Sequence, residues 1–103
     1  MTFRIAFTPE AEEQLVELYR HIAAAGSLEA AARYMDSIVT FCEGLVDFPY
    51  RGRSRDDIRP GLRTIGFRRR VVIAYAVVDE VTLIVGIFYG GRNYEVALAE
   101  PDE

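Results

Sequence analysis

The chain has 103 residues, half of them apolar, and a formal net charge of −4. That length suits one domain, residues 1–103, burying roughly 60–70% of its unfolded surface. The apolar content excludes a disordered chain, and a pI near 5.0 argues against a domain built for bulk nucleic-acid binding.

Phe3, Ile5 and Phe7 alternate with Arg4 and Ala6, which predicts a short strand with one buried face. Thr8-Pro9-Glu10 reads as a helix start, with Thr8 as N-cap, Pro9 at the first position and Glu10 at the positive dipole end. Ala11, Leu15, Leu18, Tyr19 and Ile22 follow at helical spacing, and Gly26 stops the helix. Ser27 caps a second helix whose apolar positions are Ala31, Tyr34, Met35, Ile38, Phe41, Cys42 and Leu45, ending at Pro49. The pair forms an antiparallel hairpin.

Tyr50 to Pro60 reads as loop, punctuated by Gly52, Ser54, Asp56 and Asp57. Three strands follow, at Leu62–Phe67, Arg70–Val78 and Thr82–Tyr89, with Asp79-Glu80 as the second turn. The middle strand, VVIAYAVV, is apolar almost throughout, so it should be central and covered on both faces. Residues 90–103 read as a glycine-rich reversal and an acidic, frayed end. The fold class is α+β, in the order β-α-α-β-β-β, with a helix hairpin on a mostly antiparallel four-stranded sheet.

The run Val71–Val78 is far short of the ~20 residues of a membrane helix, so no membrane contact is expected. No secretory leader is visible around Arg4. A lone Cys42 suits a reducing cytoplasm. One His and one Cys on different helices make no transition-metal site, and no cofactor motif is present. His21 reads as a surface histidine, Cys42 as a small core residue, and Ser27, Ser37 and Ser54 lack triad context. No catalytic residue is assigned.

Charge is the strongest signal. All twelve basic residues are arginine, and eight lie between Arg51 and Arg70. With Asp56 and Asp57 that segment carries +6, against −10 for the other 83 residues. The bland reading is a solvated loop, with Arg68-Arg69-Arg70 guarding a strand edge and the aspartates paired to Arg59 or Arg53. Exposed ion pairs contribute only about 0–1 kcal/mol, however, so they do not offset such crowding. The segment therefore asks for an acidic partner. The candidate contact residues are Arg53, Arg55, Arg59, Arg63, Arg68, Arg69, Arg70, Tyr89, Arg92 and Tyr94.

The element order and four landmarks resemble the RelE/ParE superfamily of type II toxin–antitoxin modules, nearest its ParE branch. The landmarks are Phe48-Pro49, the run from Gly52 through Arg-Asp-Asp-Ile-Arg-Pro-Gly-Leu to Arg63, Val72-Ile73-Ala74-Tyr75, and Ile87 to Tyr94. Tyr89 stands where that family often has histidine, and Asn93 where aspartate is common. The resemblance implies a toxin that blocks DNA gyrase and so replication. It also implies a tightly bound antitoxin, ParD-like and of ribbon-helix-helix type, in a hetero-oligomer that meets operator DNA only through the antitoxin. RelE-type relatives instead cut mRNA on the ribosome; in that alternative Arg63, Arg69, Arg92 and Tyr94 would be the charge stabilisers and acid or base. The absence of lysine and the acidic body favour the gyrase inhibitor.

Overall fold

A computed structural model describes residues 4–91 and 93–99. Its elements are β1 (Arg4–Phe7), α1 (Pro9–Ala25), α2 (Leu28–Gly44), β2 (Arg53–Ser54), β3 (Leu62–Phe67), β4 (Val71–Val78), β5 (Val81–Tyr89) and α3 (Tyr94–Leu98). They build one sheet in the order β1-β5-β4-β3-β2. Only β1 runs parallel to its neighbour, pairing Arg4–Phe7 with Val81–Ile84 of β5. The α+β class and the mostly antiparallel sheet are as expected, with β4 central.

The helix caps follow the local chemistry. The Ala11 N–H donates to Thr8 Oγ1 at 3.1 Å, with Pro9 opening α1. The Ala30 N–H donates to Ser27 Oγ at 3.0 Å and opens α2. Each cap is worth about 1 kcal/mol. α2 ends at Gly44, short of the expected Pro49. Glycine is a poor helix former, and the next residue, Leu45, turns fully into the core.

The main core lies between the helix hairpin and one sheet face. Leu18, Ile38, Cys42 and Leu45 meet Phe67, Val71, Ile73, Tyr75, Ile84 and Ile87. Burial, with Glu43 nearby, pushes the Cys42 thiol up to about 12, which suits an inert core residue. A smaller core covers the other face, where Leu62, Ala74 and Phe88 meet Leu98, with Ile58 and Tyr94 packed against them.

Three further features depart from the sequence expectations. First, the sheet has five strands: Arg53–Ser54 pairs with Arg63–Thr64, inside the segment read as loop. A two-residue strand has no periodicity to read. Second, residues 94–98 form α3, an element not expected from the sequence, while the expected fraying of the last residues, 100–103, lies outside the described ones. Five residues carry no helical period, but Asn93 caps the turn, its Oδ1 accepting from the Val96 N–H at 3.2 Å. Third, Arg70 lies in the β3–β4 turn, because Phe67 pairs with Val71 and leaves Arg68–Arg70 between them.

β5 carries a register shift opposite Ala74 and Tyr75, which leaves Val85 without a partner. The bulge lets Ile84 and Ile87, three apart, both join the main core. Gly86 serves it directly, since a Cβ there would lie 2.4 Å from the Phe88 ring.

Candidate arginine surface and toxin family

The fold distributes the arginines over three settings. The first is a row of guanidinium groups laid on aromatic rings. Tyr34 and Phe41, two helical turns apart on α2, both meet Phe67, the last residue of β3, at ring separations of 6.0 and 5.0 Å. Arg68 lies over Phe67 at 5.1 Å and over Tyr34 at 5.6 Å, and donates to Ser37 Oγ at 3.3 Å. Arg51 lies over Phe41 at 5.3 Å. Arg63 stacks on Tyr50 at 5.0 Å and donates to the carbonyls of Gly52, at 2.7 Å, and Tyr50, at 3.2 Å. A guanidinium is planar and weakly hydrated, so a ring face holds it at about 0.5–1 kcal/mol per exposed pair and leaves its N–H edges free.

Alternation along β3 explains the side. Arg63, Ile65 and Phe67 share the face that the helices cover, while Leu62 joins the smaller core opposite. Tyr75 pins the loop that bears Arg51, because the Gly52 N–H donates to its hydroxyl at 2.8 Å. Arg53, in β2, is exposed.

The second setting is a clamp on the other face. Arg55 donates to both Asp57 oxygens, at 3.0 and 2.9 Å, to Glu95 at 2.6 Å and to the Tyr94 hydroxyl at 3.0 Å. It ties the β2–β3 loop to α3, and its own side chain is only 14% exposed. Arg59 is half-buried nearby, lining a hollow of about 350 Å³ with Glu10, Gln14, Val85, Phe88 and Leu98. The aspartates do not pair as the sequence suggested. Asp57 takes Arg55, two residues back, rather than Arg59 or Arg53. Asp56 accepts from the Ser54 hydroxyl at 3.1 Å and the Gly61 N–H at 2.7 Å. Gly61 has a φ of +80°, in the left-handed region that favours glycine.

The third setting is the β3–β4 hairpin tip, Arg68–Arg70, all exposed. Tyr89 is separate from all three. It is half-buried beside His21, with ring centroids 5.3 Å apart. Gln14, Glu17, Leu18, Ile87 and Gly90 complete that hollow of about 360 Å³ between α1 and β5. Tyr94 opens α3 and belongs to the clamp. Arg92 lies outside the described residues. Sequence reasoning singled out the cations and missed their seats, Tyr34, Phe41, Tyr50 and Phe67. The legible signal was Phe67 beside Arg68; Tyr50 adjoins Arg51 in sequence but seats Arg63. Among the described residues, no three His, Cys, Asp or Glu side chains gather as metal ligands. No helix there is long and apolar enough to cross a membrane.

The clamp titrates in acid. Arg55 holds the Asp57 carboxyl below the usual carboxylate range, and the Gly61 amide followed by Ser54 does the same for Asp56. Depressed folded values contribute stability that is complete above about pH 4 and lost as pH falls through them. Amide protection at Gly61 and in α3, taken relative to the intrinsic exchange rate at each pH, should hold between neutral and mildly acidic pH and should fall below about pH 4. Unchanged protection through that acid window would contradict the clamp.

A family model described as the ParE toxin of the type II toxin–antitoxin system parDE matches residues 5–94. The chain belongs to the ParE toxin family. Toxin ParE3 of Caulobacter vibrioides is 28% identical over 97 residues, covering 94% of this chain and 96% of that protein. A solved structure described as the chromosomal ParDE TA system from P. aeruginosa superposes with a TM-score of 0.75 at 22% identity, covering 86% of this chain and 97% of the other. That likeness places the fold. Asn93 caps α3 through its side-chain oxygen, the role an aspartate at that position would also fill.

Proposed function

We propose that this ParE-family toxin inhibits DNA gyrase by binding, without catalysing a reaction, and that a cognate antitoxin holds it inactive. The reading rests on family membership and on one structural observation. Of the four residues that the ribonuclease alternative would need in one place, the three among the described residues are apart. Arg63 is at the start of β3 and Arg69 beyond its end, while the Tyr94 hydroxyl accepts from Arg55 in the clamp. A general acid or base must reach the reacting atoms together with the charge stabilisers, and here they occupy different faces.

The stacked row suits an acidic, amphipathic antitoxin segment. Carboxylates would take the guanidinium N–H groups that the bonds to Tyr50, Gly52 and Ser37 leave open, and apolar side chains would cover Phe48 and Tyr50, which are 68% and 65% exposed. The partner is taken to be ParD-like, with a ribbon-helix-helix half that binds operator DNA, and the complex to act in the cytoplasm. Expression without antitoxin should stop DNA replication, induce the DNA-damage response and filament the cells. Co-expression with the antitoxin should restore growth and yield a complex that survives high salt. Arrest of translation with intact chromosomes would overturn the reading in favour of the ribonuclease.

A further inference from the structure

We propose that the hairpin tip Arg68–Arg70 is a direct contact for the phosphate backbone of DNA, made by this chain itself. The inference rests on the gyrase reading, because a toxin working on a DNA-bound enzyme meets that backbone.

The backbone of the tip supplies the first observation. Arg68 and Arg69 have φ of 51° and 66°, both in the left-handed region that favours glycine. A hairpin turn of this kind is ordinarily built from Asn or Gly. At the far end of the sheet the β4–β5 turn places Asp79 at φ 57°, a short side chain suited to it. The tip instead carries two long cations in a strained conformation, the kind of outlier that gathers at functional positions.

Charge supplies the second. No acidic residue occurs between Asp57 and Asp79. Among the described residues, no carboxylate is in ion-pair contact with Arg68, Arg69 or Arg70; the ion pairs there belong to Arg55. Asp36 shares a hollow with Arg68 but makes no ion pair with it. Arg68 is held by its rings and Ser37, so one of the three cations is already positioned.

The surroundings decide between polyanions. A peptide partner gains most of its affinity from apolar burial. Arg68 marks the edge of the ring-stacked row; Arg69 and Arg70 beyond it have no ring seat, are exposed, and have exposed Gly90 and Gly91 beside them, Gly90 donating to the Arg70 carbonyl at 3.0 Å. A phosphate backbone needs only charge and close approach, and nothing lies within 4 Å of the space a Cβ on either glycine would fill. A local contact of this kind is compatible with an acidic body, since binding is weak and acts when gyrase already presents the DNA.

The test uses the purified full chain, a short labelled DNA duplex and fluorescence anisotropy across a salt series, with no gyrase present. Weak, sequence-independent binding is expected, with a slope of log affinity against log salt of about −2 to −3 for three phosphate contacts. Arg69→Gly relaxes the left-handed backbone, so its Tm should equal or exceed the parent's. Its salt slope should be shallower by about one, with about tenfold weaker binding at low salt. Arg4→Glu is the control at the opposite end of the sheet, beside Asp79 and Glu80, and should weaken binding far less. Three results would overturn the proposal: no binding at low salt, an Arg4→Glu loss as large as that of Arg69→Gly, or Arg69-dependent binding of polyglutamate but not of DNA. The last would make the tip a peptide contact. Gyrase inhibition that persists alongside any of these leaves the gyrase reading standing.

Discussion

Phe67→Ala should cost about 3–5 kcal/mol of folding stability, the range for truncating a core phenylalanine. Phe67 is 8% exposed and lies against Tyr34 and Phe41 while seating Arg68. Removing the ring leaves a cavity at the junction of α2 and β3, and takes the apolar seat from under the guanidinium. Denaturant unfolding measures the first effect. Phe67→Leu separates the second. A leucine fills most of the volume, so its stability cost should stay below about 1.5 kcal/mol. It offers no ring face, so antitoxin affinity should still fall. A Phe67→Ala chain that unfolds at the parent's denaturant midpoint would show that the row is not anchored in the core.

Gly52→Ala should be nearly as damaging, for a different reason. A Cβ at that position would lie 2.6 Å from the Tyr75 hydroxyl and 2.9 Å from the Thr64 carbonyl. Tyr75 is fully buried and Thr64 belongs to the β3–β4 ladder, so neither yields. The loop must lift instead, at about 1–3 kcal/mol for overpacking. Lifting also separates the Gly52 N–H from the buried Tyr75 hydroxyl, a further loss of about 1–3 kcal/mol. Arg63 loses the carbonyl it binds at 2.7 Å, so two guanidinium groups of the row shift with one methyl group. Tyr75→Phe removes the obstructing oxygen. The double variant should therefore be less destabilised than the two single losses summed, by about 0.5–3 kcal/mol in a mutant cycle. Strict additivity would mean that the two residues do not meet.

These two sites also mark how far the sequence could be read. The long elements were legible because each carried its own chemistry: Thr8-Pro9 and Ser27 at helix starts, and VVIAYAVV as a strand apolar on both faces. The arginine segment was legible as charge but not as geometry. Arg55 turns inward because Asp57, Tyr94 and Glu95 converge on it, and the latter two are about forty residues away in sequence. Arg51 and Arg68 acquire ring seats from α2, a separate element whose Tyr34 and Phe41 read only as core positions. The Val85 bulge was hidden too, since a strand written with period two gives no sign that Ile84 and Ile87 share a face. What failed to show was set by contacts across the fold, and those are the contacts that divide one basic run into a row, a clamp and a tip.

DNA gyrase is the proposed target of this ParE-family chain. The most direct measurement is supercoiling of relaxed plasmid by purified gyrase, with the folded chain added in rising amounts and its antitoxin added back. Supercoiling should fall as the chain is added and return when the antitoxin is supplied. Supercoiling that continues unchanged at a large excess of well-folded chain would contradict this proposal.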